Sequence, residues 1–430
     1  MRTVVVAAAI ATLAFSQVSA PPAAGDPSRI YSTDPGDSWN RLFAALLTRT
    51  VRTRYTSEFP DRGPFQPAPE RFQGFAPPPS IGVSTRVFDR YEDGDRAIDA
   101  LYPTFLNSTG PREALIEPRR SELVRALTAA LNDRTPRSPL ARALMQADLW
   151  SAYDGLAVAV RFLRSNVGAT SALNELSGLI ARLIGQIALT RTEIAALPDN
   201  YEAARRPIGL PDLFHAGGEW LEVARAPFHV HEEEAQKRKA ARVLMRPVIR
   251  PDNVVAFLTA ATREVPQRRF SAVALVEQLM LIDRSGRVVA SPLVQDVQMR
   301  TFGSPPGSHS SVVQYELSRR QLLANASTGG FVRFDDRAEA YITVAGNDYG
   351  FASPAEPLNS EPTITTLRFR CSACHGNDGT HIVSFSVHDS ELRPPRVLAQ
   401  PNDERARDVA AAKEARDDFK RLIEAAGLRR

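Results

Sequence analysis

The spacing of apolar residues changes at Gly217-Gly218, and the spacing on each side limits the kind of secondary structure that side can form. From about residue 95 to residue 205, apolar side chains recur at intervals of three and four, as they do on one face of a helix. Ser138-Pro139 predicts a helix start, because serine caps helix N-termini and proline suits the first turn. We predict helices over 121–131, from 139 through Phe162, and from about 170 to before Pro198.

Beyond the two glycines, β-branched and long apolar residues dominate a strand-rich stretch. Phe270–Asp283 and Arg287–Val297 predict two strands, and Gly286 between them suits a hairpin turn. Further predicted strands cover 331–334 and 340–345, and further predicted helices cover 38–52, 253–265, 317–326 and 404–428.

Together these patterns predict an α+β protein, mainly α. An N-terminal helical bundle would be followed by a smaller antiparallel α+β module and a C-terminal segment with its own helix. The predicted units are a signal peptide at 1–20, a proline-rich lead at 21–94, a helical domain at 95–215, an α+β module at 216–355 and a C-terminal segment at 356–430.

The first twenty residues have the pattern of a secretory signal peptide. Arg2 precedes an apolar run from Val4 to Phe15, and Val18-Ser19-Ala20 supplies small residues for cleavage. An uncleaved N-terminal anchor is the alternative. Since no later stretch reaches about 18 uncharged apolar residues, we expect no membrane span in the mature chain. We therefore predict a periplasmic or secreted protein.

The charge of the chain does not predict a nucleic-acid partner. The sequence has 53 basic and 49 acidic residues, for a formal net charge of +4. Arginines are interleaved with acids along the chain and form no basic block. A protein redox partner, such as a weakly acidic one, is compatible with this balance.

The motif with the most specific chemistry is Cys371-Ser372-Ala373-Cys374-His375. Its cysteines are the only two in the 430 residues. In C-x-x-C-H, two thiols three residues apart can bond to the two vinyl groups of one porphyrin, and the next histidine meets the iron. Over these residues the chain resembles the c-type cytochromes. That resemblance implies one covalent haem c, with thioether bonds to Cys371 and Cys374 and with His375 as an axial ligand, so that the C-terminal segment at 356–430 would be a haem c-binding segment.

Two other chemistries suit the same cysteines. A C-x-x-C disulfide or redox-active dithiol is natural in an oxidising compartment. A zinc half-site would need further ligands, and the chain has no second cysteine pair. Haem attachment is the leading prediction because an exported chain and a histidine directly after the second cysteine both agree with it.

The chain departs from the compact single-haem cytochrome pattern around this motif. Thr363–Phe369 is β-branched and extended in character instead of helical, and no methionine follows His375. We therefore predict His388 as the second iron ligand, a bis-histidine arrangement of lower potential than a methionine–histidine one. The alternatives are His381, an open sixth position, or one of the upstream methionines Met245, Met280 and Met299.

The remaining histidines support weaker hypotheses. His229 and His231 would share one face of a strand, as some metal ligands do, but Glu232-Glu233-Glu234 makes a surface strand end the simpler interpretation. The leading hypothesis is electron transfer in the cell envelope. The alternatives are a peroxidase-like haem oxidoreductase, with polar groups from His215, His229 or His309, and a haem-based sensor or interaction module.

Overall fold

The fold is given by a computed structural model. It describes residues 29–47, 50–55, 84–89, 119–162, 167–215, 218–223, 239–249, 270–302, 311–334, 339–342, 363–366, 392–393 and 404–428. The helices are α1 (Ser38–Leu47), α2 (Arg119–Asn132), α3 (Pro139–Phe162), α4 (Val167–Ile187), α5 (Arg191–Ala195), α6 (Asn200–Ile208), α7 (Arg319–Ala324), α8 (Glu404–Ala415) and α9 (Asp417–Ala425), with a 3-10 turn at Ala326–Thr328.

The strands form two sheets. They are β1 (Thr50–Tyr55), β2 (Ser84–Asp89), β3 (Leu221–Val223), β4 (Lys239–Pro247), β5 (Phe270–Ile282), β6 (Val288–Thr301), β7 (Ser311–Leu317), β8 (Phe331–Phe334), β9 (Glu339–Ile342), β10 (Thr363–Thr366) and β11 (Leu392–Arg393). The larger sheet has the order β11-β3-β4-β5-β6-β7-β8, and every pairing in it is antiparallel. The smaller sheet has the order β2-β1-β10-β9, with β1 and β10 parallel. The predicted α+β class is confirmed, with more helix than strand in the described part.

Helix α3 occupies the centre of the described fold. It begins as its sequence predicts: Ser138 Oγ accepts a hydrogen bond from the Ala141 backbone N–H at 3.2 Å, and Pro139 is the first helical residue. Every residue from 143 to 154 is buried, including the polar Gln146, Asp148, Ser151 and Asp154, so this part of α3 is enclosed by other elements on all sides.

Two apolar clusters lie on different sides of α3. One joins α3 to helices α1, α2 and α4, to α8 and α9, and to the turn end of the β5–β6 hairpin. The other joins α3 to α5, α6 and α7 and to one face of the larger sheet. The helices and the larger sheet thus bury their apolar side chains against one another.

The β5–β6 hairpin confirms its sequence prediction. Gly286 has a φ of 76°, which a glycine adopts without steric cost, and its N–H donates to the Asp283 carbonyl at 2.9 Å. Further from the turn the ladder has register shifts near Gln278. There, Asn200 Oδ1 accepts from the Val294 N–H at 2.8 Å, while Asn200 Nδ2 donates to the Val294 carbonyl at 2.9 Å. Val294 pairs with Gln278 of β5 but lies beyond the β6–β7 ladder, whose last pair is Asp296 with Glu316, and the buried Asn200 amide bonds both of its backbone groups.

Three helix predictions differ from the structure. The helix predicted from about 170 to before Pro198 is two helices, α4 and α5, because Thr190 caps a new helix start at Arg191. The N-terminal helix ends at Leu47, not at Arg52, and Thr50–Tyr55 pairs with β2 because its β-branched residues suit a strand. The predicted helix over 404–428 is two helices, broken at Arg416, whose ψ of 143° is extended. The predicted helix at 253–265 and the proline-rich stretch 59–80 lie outside the described residues.

Candidate functional site

The Cys371–His375 motif and its predicted second ligand lie outside the described residues, as does the alternative ligand His381. Two described strands flank them in sequence. Strand β10 ends at Thr366, five residues before Cys371, and β11 begins at Leu392, four residues after His388. We call residues 367–391 the attachment segment.

The two flanking strands belong to different sheets. Strand β10 lies between β1 and β9 in the smaller sheet, whereas β11 pairs with β3 at the edge of the larger sheet. The described strands before and after the motif in sequence thus belong to two different sheets.

A buried ion pair stabilises the sheet edge that holds β11. Arg393 of β11 lies opposite Glu222 of β3 in the ladder. Glu222 accepts two hydrogen bonds from Arg242, each 2.9 Å long, and the Arg242 guanidinium stacks over the Phe214 ring at 4.6 Å. Such a bidentate pair has little freedom to rotate, so β3 is a rigid support for its short neighbour.

The structure places the three upstream methionines in packed positions. Met280 belongs to the cluster between the helices and the hairpin, and Met299 packs against the cluster on the other side of α3. Met245 is fully buried on β4, opposite Leu221. Packing accounts for Met280 and Met299 without a metal, as is common for a flexible thioether side chain in a core.

Of the other histidines considered, His215 alone falls in the described part of the chain. It is exposed, and its carbonyl accepts a hydrogen bond from the Gly218 N–H at 2.9 Å, as in a turn. His229, His231 and His309 lie outside the described residues. The described part of the chain therefore contains one of these histidines and places it at the surface in a turn.

The face of the larger sheet that carries Leu275 has a row of buried carboxylates that the sequence reasoning missed. Glu277, Asp296 and Glu316 lie opposite one another on β5, β6 and β7, each less than 5% exposed. Gln298 and Gln314 donate hydrogen bonds to Asp296 at 2.7 and 3.1 Å. Within the described ranges, no group of three or more His, Cys, Asp or Glu side chains is arranged to hold a metal ion.

Helix α3 carries a second set of buried charges. Asp148 accepts hydrogen bonds from Arg319 Nε and Nη2, the shortest at 2.7 Å, and from the Tyr31 hydroxyl at 3.0 Å. Asp154 accepts one from Lys413 Nζ at 2.7 Å. Burial lowers the pKa of Lys413, and the charge of Asp154 opposes that effect. Because each aspartate faces a cation inside the core, these pairs hold elements together and are not arranged as an acid–base pair for catalysis.

Comparison with known proteins adds no further assignment. No family model matches the chain, and no curated protein and no solved structure does either. In the described part of the chain, no helix is both long and apolar enough to cross a membrane.

Proposed function

We propose that this protein is an exported c-type cytochrome that carries one covalent haem and transfers electrons in the cell envelope. Cys371 and Cys374 form the thioether bonds, His375 is one iron ligand and His388 is the other. The single observation that carries the proposal is the C-x-x-C-H motif, which uses both cysteines of the chain.

The donor set suits a haem better than it suits the other chemistries considered. Two thiols and an imidazole within five residues match the two vinyl groups and the iron of one porphyrin. A zinc site would normally have four protein ligands if structural, and the chain has no further cysteines. A disulfide would use the two thiols but would leave the adjacent histidine without a role.

When bound, the haem supplies an iron that changes between its ferric and ferrous states. The residues of the chain hold it in place. Thioether bonds to Cys371 and Cys374 would prevent its loss outside the cell, where a lost cofactor is not readily replaced. His375 and His388 would each supply an imidazole ligand to the iron, and a fully ligated iron would favour electron exchange over binding of a substrate.

The same proposal assigns roles to the rest of the chain. The predicted signal peptide, residues 1–20, would export it, and the N-terminal helices would form a bundle that scaffolds the haem segment or recognises a redox partner. Strands β10 and β11, which flank the motif in sequence, are each paired into a sheet. A small haem-bearing segment between them would then lean on a larger body.

The test is a pyridine haemochrome spectrum of protein expressed with the haem-maturation machinery. We expect the haem c spectrum at one haem per chain, and no covalent haem in the Cys371→Ala, Cys374→Ala double variant. Covalent haem in that double variant, or a colourless wild-type protein with a Cys371–Cys374 disulfide, would overturn the proposal.

A matched pair of histidine variants tests the second ligand. His388→Ala should open the sixth position, so that the reduced protein binds carbon monoxide, while His381→Ala should leave the wild-type spectrum unchanged. If the wild-type protein itself binds carbon monoxide rapidly, the iron has an open position, and the alternative of a haem-dependent oxidoreductase replaces electron transfer.

A further inference from the structure

The last two helices of the described chain connect its helices to its larger sheet. We call residues 404–428, which contain α8 and α9, the C-terminal strap. Phe419 of α9 packs against Trp150 of α3, with ring centroids 5.8 Å apart. Glu414 of α8 accepts a hydrogen bond from the Val288 N–H of the β5–β6 hairpin at 2.9 Å and pairs with Arg287 at 3.1 Å. The strap thus contacts both a central helix and a hairpin of the larger sheet.

The strap contacts α3 through a buried charge as well as through apolar side chains. Lys413 Nζ lies 2.7 Å from Asp154 Oδ2 and 5.1 Å from the centre of the Trp150 ring, and its side chain is 1% exposed. Removing one partner of a buried pair is strongly unfavourable, because the other charge then lacks its counter-ion. The docking of the strap therefore depends on Lys413.

Two glycines leave room for the strap. A Cβ at Gly185 on α4 would overlap the carbonyl oxygen of Ala426. A Cβ at Gly286 in the hairpin turn would lie 3.0 Å from Ile423 Cγ2. By contrast, a Cβ at Gly178, also on α4, would meet no atom within 4 Å. Close approach of the strap thus explains the glycine at position 185 but not the one at 178.

The helices beneath the strap also pack directly on one another. Helix α4 contacts both α3 and α2, and α1 contacts α2. Leu127 of α2 and Ile180 of α4 are fully buried in the same cluster. Loss of the strap would expose one side of this cluster while leaving those helix contacts in place. Proteins commonly open in such contiguous units, at a lower free energy than global unfolding.

We infer that the C-terminal strap is a separately opening clasp, locked by the Lys413–Asp154 pair, which closes the helices onto the hairpin. This inference does not depend on the proposed function.

Hydrogen exchange of the full-length protein tests the inference. Lys413→Ala should lower the protection of amides in both 404–415 and 417–425 by about a hundredfold or more, while amides in α2 and β5 keep their wild-type protection. Lys420→Ala is the matched control, because Lys420 lies on the same strap with its side chain 53% exposed. It should change neither region.

A second variant, Phe419→Ala, opens the clasp by removing an apolar contact instead of a charge. It should lower protection over both 404–415 and 417–425, because both helices belong to one clasp. Equal loss of protection in α2, β5 and the strap would show that the strap unfolds only with the whole molecule. Unchanged protection of the strap in Lys413→Ala would show that the ion pair does not lock it. Either result would overturn the inference.

Discussion

Helix α3 and the Cys371–His375 motif each place polar or reactive side chains within a few residues, but the two regions use them differently. On α3, Asp148 and Asp154 lie in the core, and each faces a cation from a distant element. In the motif, two thiols and an imidazole are neighbours in sequence and suit bonding to one external group. The charges that stabilise this fold lie on elements that meet only after folding. The side chains of the motif are neighbours in sequence, so their chemistry can be predicted from the sequence alone.

The largest stability effect should come from breaking the Arg319–Asp148 pair. Both side chains are at most 1% exposed. Arg319→Ala should therefore cost about 3–5 kcal/mol in the free energy of unfolding, measured by urea denaturation, because Asp148 loses its counter-ion. The double variant Arg319→Met, Asp148→Leu should lie near the wild type, since it leaves no charge behind. A single variant as stable as the double one would show that the pair does not support the core.

Alanine substitution at two glycines with positive φ distinguishes the stability cost of backbone strain from the cost of close contact with the strap. Gly209 has a φ of 69° and Gly286 a φ of 76°, yet only at Gly286 would a Cβ approach another residue. Gly209→Ala should cost about 1 kcal/mol from its left-handed conformation alone, and Gly286→Ala about 2 kcal/mol. Equal shifts of the thermal midpoint in the two variants would mean that the strap does not pack closely on the hairpin turn.

Acid sensitivity of the strap should come from Asp418. Burial acts to raise the pKa of this carboxyl, but hydrogen bonds from Arg416 and the charges of Lys413 and Arg416 outweigh it, so that the pKa falls from 3.8 to about 2. A depressed carboxyl pKa stabilises the folded state above pH 3.8, and that stability is lost as the pH falls toward about 2.

Comparing the wild type with Asp418→Asn as a function of pH tests this effect. The asparagine variant should be less stable by about 1 kcal/mol above pH 4, a value below the full linkage energy because solvent screens part of the interaction. The difference should shrink toward pH 2. A difference that stays constant over this range would assign the loss to packing and not to charge.

The smallest loss of stability should come from breaking an exposed ion pair. This pair is compared with the buried ion pairs of α3. Arg205 donates to Glu202 at 2.7 Å on the surface of α6, where the Glu202 side chain is 62% exposed. Glu202→Ala should change the free energy of unfolding by less than about 0.5 kcal/mol. A loss comparable to that of Arg319→Ala would contradict the view that burial decides the importance of these pairs.

Local patterns predicted much of the described fold. Ser138-Pro139 gave the start of α3, and Gly286 gave the β5–β6 turn, because caps and turns depend on neighbouring residues. The break at Arg416 was missed because the apolar pattern continues across it from Val409 to Phe419. The pairing of Thr50–Tyr55 with β2 was missed as well, because it depends on residues about thirty to forty positions away.

The buried ion pairs could be predicted only in part. Asp148 and Asp154 interrupt an otherwise apolar helix, which was a signal that α3 needs cations in the core. Their partners, Arg319 and Lys413, lie 171 and 259 residues further along the chain. No local pattern specifies such a pairing. The Cys371–His375 motif differs from these pairs, because the spacing of neighbouring residues is enough to predict its chemistry. The residues around the motif lie outside the described part of the chain.

The most direct test of the central claim is the intact mass of the denatured, purified chain after export in a host that attaches haem. The account predicts a mass increase of one haem that survives denaturation and is absent from the Cys371→Ala, Cys374→Ala variant. A denatured wild-type chain without that increase, and lighter by two hydrogens because Cys371 and Cys374 form a disulfide, would contradict it.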